Sequence, residues 1–95
     1  MPLTFVARFS IKPDKEEDFL ALVPQIEAIS GEEPDTLAYK FYRLDEPHRF
    51  AVLESFTDEA ADLAHQQNPQ TAPIIEGMIA CMDGTYSREY LHDIA

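Results

Sequence analysis

Thr36-Leu37-Ala38-Tyr39-Lys40-Phe41-Tyr42-Arg43-Leu44, then Asp45-Glu46-Pro47-His48, then Arg49-Phe50-Ala51-Val52-Leu53-Glu54-Ser55-Phe56 is the stretch on which the fold turns. Its two outer runs are rich in aromatic and β-branched residues, and the segment between them has turn composition. The pattern predicts two strands joined as a hairpin. Alternation places Leu37, Tyr39 and Phe41 on one face of the first strand, and Ala38, Tyr42 and Leu44 on the other. Both faces are apolar, yet one layer of helices covers only one. The bare face would be a contiguous apolar patch. A second copy packed sheet on sheet would bury it, so a homodimer through the sheet face is expected.

Upstream, Leu3 to Ile11 alternates as well, with Leu3, Phe5, Ala7, Phe9 and Ile11 on one face. Lys12-Pro13-Asp14 ends that strand. Pro13 and the acids Asp14, Glu16, Glu17 and Asp18 suit the first turn of a helix, where negative charge meets the positive end of the dipole. Phe19, Leu20, Leu22, Val23, Ile26 and Ile29 form its apolar stripe. Pro24 should kink it, and Gly31 should stop it.

Downstream, Thr57 or Asp58 caps a short helix through Gln67, with Ala60, Leu63, Ala64 and Gln67 on its apolar face. Asn68-Pro69 interrupts. A second helix, Ala72 to Met82, carries Ile74, Ile75, Met78 and Ile79. Asp83-Gly84 turns the chain into a last strand, Thr85 to Leu91. The order β-α-β-β-α-α-β is the split βαβ, ferredoxin-like arrangement. The expected class is α+β: a four-stranded antiparallel sheet with helices on one face.

Composition sets outer limits. Ninety-five residues allow one domain, here 1–95. A chain of that length buries roughly 60–65% of its unfolded surface. Eighteen acids against seven Lys and Arg give a net charge of −11, which opposes phosphate binding and anionic membranes. No apolar run approaches the roughly 18 residues of a membrane span. The start, Met1 to Thr4, lacks a basic leader region, so no signal peptide is expected. One cysteine, Cys81, allows no intrachain disulfide and fits a reducing, cytoplasmic setting. It reads as a small buried hydrophobe. His48, His65 and His92 lack metal-ligand spacing, and there is no glycine-rich phosphate loop, so neither a metal nor a cofactor is expected.

Three segments carry a resemblance: Glu33-Pro34-Asp35-Thr36-Leu37-Ala38-Tyr39, Asp45-Glu46-Pro47-His48-Arg49-Phe50, and Glu54-Ser55-Phe56-Thr57-Asp58-Glu59-Ala60-Ala61. With His65, Pro69, Ala7-Arg8-Phe9 and Lys12-Pro13, they resemble the antibiotic biosynthesis monooxygenase domain family, of the dimeric α/β-barrel superfamily. The resemblance covers nearly the whole chain. It implies two subunits packed sheet on sheet, each with a pocket between sheet and helices. It also implies one of several activities: cofactor-independent oxidation of polyphenols and quinols, haem degradation, or sugar-phosphate isomerisation. Fold narrows such a choice less than the site does.

His65 stands where many members of that family carry a histidine, and an imidazole at a pocket wall can take a proton from a phenol or quinol. The plainer reading is a histidine that spaces the helix. Glu54 shares a strand face with Phe50, Val52 and Phe56, so it must be paired, protonated or hydrogen-bonded. It either orients His65, holds a substrate hydroxyl, or pairs with Arg8, Lys40, Arg43 or Arg88. Tyr39 can donate to a substrate oxygen, with Tyr86 and Tyr90 in similar positions, or simply pack. Phe5, Phe9, Phe50 and Phe56 read either as the walls of an apolar slot for a flat aromatic ligand or as plain core.

The haem-degrading branch carries an Asn on the first strand and a Trp on the helix after the third strand. Here Ala7 and His65 stand in those places, and the chain has no Trp. The polyphenol-oxidising branch also uses a Trp. A small phenol or quinol therefore suits these residues better. The expected activity is a cofactor-independent monooxygenase or quinol oxidase, with His65 as base, Glu54 as orienter or anchor, and Tyr39 as donor. The alternatives are a non-enzymatic small-molecule-binding or stress-response dimer, or an isomerase of the same fold. A phosphorylated substrate would need a basic pocket that this acidic chain hardly offers.

Overall fold

A computed structural model describes residues 2–95; Met1, part of the chain start considered above, lies outside the described residues. Strand β1 (Leu3–Ser10) leads through a 3₁₀ turn (Pro13–Lys15) into helix α1 (Glu16–Glu32). Strands β2 (Thr36–Arg43) and β3 (Arg49–Phe56) follow, then helices α2 (Glu59–Gln67) and α3 (Ala72–Cys81), and last strand β4 (Ser87–Leu91). The sheet order is β2-β3-β1-β4, and every pairing is antiparallel. This is the four-stranded, ferredoxin-like α+β arrangement expected from the element order. No helix among the described residues is long and apolar enough to cross a membrane.

Register decides which side chains meet the helices. Phe5 pairs with Glu54, Ala7 with Val52, and Phe9 with Phe50, so these residues share the inner face. Tyr39 lies opposite Glu54, and Arg88 opposite Ala7, which extends that face across β2 and β4. Phe19 and Ile26 of α1 and Met78 of α3 close over it to form the core. The outer face carries Val6, Arg8, Leu53 and Glu89 in adjacent register. Arg8 Nη1 donates to Glu89 Oε1 at 2.7 Å, and the hydroxyls of Thr4 and Ser55 lie 2.8 Å apart.

Three local expectations need correction. Leu37 does not share a face with Tyr39 and Phe41. Thr36 lies opposite Phe56 and Ala38 opposite Ser55, so the register shifts at Leu37, which is exposed. Helix α1 does not end at Gly31; Gly31 lies within its last turn, and the chain becomes extended at Glu33, just before Pro34. Pro24 stands inside α1 without ending it. It is exposed, and so is Leu20, whose carbonyl loses its usual backbone donor. The third correction concerns α2. Its buried residues are Ala61, Asp62 and His65, whereas Ala60, Leu63, Ala64 and Gln67 are exposed. The more apolar side of this helix is its outer side.

A candidate active site between sheet and helices

Between the inner sheet face and the helices lies a cavity of about 220 Å³. Phe9, Phe41 and Val52 of the sheet, Phe19 of α1, and Ile75 and Met78 of α3 give it apolar walls. Its polar lining comes from several elements: Tyr39 from β2, Glu54 from β3, His65 and Gln66 from α2, Arg88 from β4, and Tyr86 just before β4. An apolar hollow with few convergent polar groups is the usual form of a small-molecule site.

His65 is placed by its helix. Asp58 caps α2, its carboxylate accepting from the Ala61 N–H at 2.8 Å. Two turns on, His65 is almost fully buried, at 2% exposure. Its ring centroid lies 4.8 Å from that of Tyr39 and 5.4 Å from that of Phe56. Nδ1 stands 2.7 Å from Glu33 Oε1. Nε2 is buried and has no hydrogen-bond partner among the described residues.

Glu33 is itself held. Asn68 Nδ2 donates to its Oε2 at 3.1 Å, and Thr36 Oγ1 to its Oε1 at 3.1 Å. Burial alone would raise this carboxyl. The hydrogen bonds from Asn68, His65 and Thr36, with the charge of His65, outweigh burial and hold it below its ordinary value. An ionised carboxylate only accepts, so Nδ1 is the donor, and in the uncharged form of the ring the lone pair lies on Nε2.

Glu54 is 8% exposed. Burial pushes its carboxyl up to about 8; Arg88 opposes the rise and Asp62 adds to it. Near neutral pH it is therefore mostly the acid, with an O–H to donate. The ion pair expected for it is not formed among the described residues. Arg8 pairs with Glu89, Arg43 with Glu16 at 3.6 Å and Arg88 with Asp62 at 3.0 Å, while Lys40 lies over the Tyr42 ring. Nor does Glu54 orient His65; Glu33 does. Burial, joined by the negative charge of Glu54, also raises Tyr39, so its phenol stays neutral and keeps an O–H to donate.

Arg88 is expected from sequence only as a partner for Glu54. Its guanidinium lies 4.0 Å from the Phe5 ring centroid and reaches Asp62 on α2. Burial would lower it, but hydrogen bonds with Tyr90 and Asp62 raise it further. Its visible signal is a cation between Tyr86 and Tyr90 on an alternating strand. Glu33 gives no signal beyond its place in the resemblance, because it meets His65 across 32 residues of chain.

Among the expected aromatic walls, Phe9 and Tyr86 line the cavity, and Phe5, Phe50 and Phe56 do not. Phe50 is covered by Phe19, ring centroids 4.9 Å apart, beneath α1. Phe5 is closed in by Phe56, Tyr90 and the Arg88 guanidinium. Those three phenylalanines are core. Cys81 is buried. Among the described residues no group of three or more His, Cys, Asp or Glu gathers to hold a metal ion.

Known proteins agree with this architecture. Rv0793 from Mycobacterium tuberculosis superposes with a TM-score of 0.88 at 17% identity, covering 100% of this chain and 97% of its own. A crystal structure of an antibiotic biosynthesis monooxygenase superposes at 0.90 with 21% identity, covering 98% and 99%. PA3566 from Pseudomonas aeruginosa gives 0.85 at 24% identity, covering 99% and 95%. At such identities these likenesses speak for the fold alone. In sequence, the uncharacterized protein sll1783 of Synechocystis is 32% identical over 76 residues, 79% of this chain. The chain spans about half the length of that relative, 52%. Residues 2–76 match the family described as antibiotic biosynthesis monooxygenase, and the chain belongs to that family.

Proposed function

We propose that this protein is a monooxygenase or quinol oxidase that takes a small phenol or quinol into the cavity, with His65 as the base and the substrate itself as the electron source. The observation that carries the reading is His65 Nε2. It is a buried nitrogen without a protein partner among the described residues, on a ring whose other nitrogen is already bonded to Glu33. Such a nitrogen suits a phenolic O–H, and proton transfer to it leaves a phenolate. The volume also fits. An apolar cavity of ~150 Å³ holds benzene, so about 220 Å³ accepts one substituted ring or two fused ones.

The steps balance. The substrate O–H proton passes to Nε2. The phenolate gives one electron to O₂, and the radical pair joins at a ring carbon as a peroxide. His65 returns its proton to the peroxide oxygen. The O–O bond then breaks, and hydroxide leaves with the ring C–H proton as water. The sum is phenol plus O₂ to quinone plus water. A quinol that stops at electron transfer instead gives quinone and hydrogen peroxide. Tyr39 and the protonated Glu54 are donors for the oxygens that gain charge on the way. The protein acts as a homodimer packed through the outer sheet face.

The test is oxygen uptake against a panel of hydroquinones, catechols and naphthols, with His65→Ala beside the wild type. Protein-dependent uptake is expected, and the variant should lose about 10²-fold or more. Uptake unchanged in the variant would remove His65 from the chemistry. Saturable aromatic binding without uptake would favour a binding protein.

A further inference from the structure

We infer that Glu33 sets the tautomer of His65 and that Asn68 holds Glu33 in place for it, which makes Glu33 and Asn68 positioning residues for the proposed proton transfer. The inference rests on that proposed role for His65. The chain of bonds starts at a fixed point. Asn68 Oδ1 accepts from the Gln70 backbone N–H at 2.9 Å, so the amide has only one orientation, and its Nδ2 must face Glu33. Backbone bonds from Thr71 and Ala72 to the Asn68 carbonyl hold the residue in place. Asn68 Nδ2 takes Glu33 Oε2, which leaves Oε1 to His65 Nδ1. A carboxylate there compels Nδ1 to carry the proton, and Nε2 is left as an acceptor.

No other charged group does this. Tyr39 from β2, Glu54 from β3 and Arg88 from β4 share the cavity with the ring, and Asp62 on α2 is paired with Arg88. The structure gives none of them a hydrogen bond to either ring nitrogen; Nδ1 is bonded to Glu33 alone. When Nε2 takes the substrate proton, Nδ1 keeps its own, and the ionised Glu33 faces the imidazolium that results. No net proton passes to Glu33.

The arrangement makes an uncommon demand on substitutions. In Glu33→Gln the amide oxygen turns to Asn68, because Asn68 offers only a donor there, whereas the Thr36 hydroxyl at the other position can rotate to accept. The new NH₂ then faces Nδ1, and the ring must move its proton to Nε2, where it cannot act as a base. Adding Asn68→Asp reverses the logic. The carboxylate so introduced accepts from the NH₂ and still accepts from the Gln70 N–H, so the amide oxygen turns back to Nδ1. The double change restores the tautomer although it removes the original carboxylate.

The experiment is a ¹⁵N–¹H correlation spectrum of the imidazoles without substrate, with His65 assigned by its loss in His65→Ala. The expected result is an Nδ1–H ring in the wild type, Nε2–H in Glu33→Gln, and Nδ1–H again in the double variant. Turnover, where present, should fall about 10²-fold or more in Glu33→Gln with little change in KM, and recover in part in the double variant. An Nε2–H ring in the wild type overturns the inference even if neither variant folds. So does an Nδ1–H ring in Glu33→Gln. The tautomer is read without oxygen chemistry, so failure of the proposed activity is distinguishable from failure of this lock.

Discussion

Among single residues, Glu54 decides how this site responds to pH. Its carboxyl stands at about 8 in the folded protein against an ordinary value of 4.5. Between those values the folded chain holds a proton that the unfolded chain has released. Stability contributed by the neutral acid is full below 4.5 and is lost as pH rises through about 8. Thermal unfolding followed from about pH 5 to 8.5 should show Tm falling, and Glu54→Gln should flatten that fall. A variant that falls as steeply as the wild type would mean that Glu54 is ionised already. The sequence made this residue visible, since a carboxylate on an apolar strand face has few options. Its answer was not legible, because each cation expected to pair with it is engaged elsewhere. His65 and Tyr39 were visible for similar reasons. Glu33 was not, because nothing local marks a contact across 32 residues.

At the scale of elements, periodicity located the strands and helices well, and it misjudged which side of α2 faces inward. Ala60, Leu63 and Ala64 form the more apolar side of α2, yet Ala61, Asp62 and His65 are the residues buried. The physical reason is polar pairing across elements, since His65 meets Glu33 and Asp62 meets Arg88. A helix that brings polar groups to a site buries polar residues, and their partners, Arg88 and Glu33, come from distant segments. Pattern reading assumes that the inner side is the apolar one, and it fails where polar pairing has replaced apolar packing. The shift at Leu37 has a similar character. A strict alternation of two cannot register one extra residue, although β3 makes it plain once the strands pair. Gly31 shows the reverse case. Glycine is a common helix end, but Pro34 was the stronger stop here.

For the whole molecule, the inner and outer sheet faces differ in composition. The inner face, with the helices, builds the cavity. The outer face holds the half-buried Val6 and Leu53 beside the Arg8–Glu89 pair, and the exposed Tyr42. Covering it by a second copy accounts for apolar side chains there. Sedimentation of the wild type at micromolar concentration should therefore give twice the 10.8 kDa chain mass, and Leu53→Glu should give the monomer with its circular dichroism retained. A wild type that sediments as a single chain would contradict the dimer. The central claim, however, is that the assembled cavity takes a proton from a bound phenol. It is tested most directly by titrating the protein with a nitrophenol below the ligand's own pKa, since the phenolate absorbs at longer wavelength than the phenol. The account predicts that the bound ligand appears as phenolate in the wild type and as neutral phenol in His65→Ala. Ligand bound as neutral phenol in both proteins, or as phenolate in both, would contradict it.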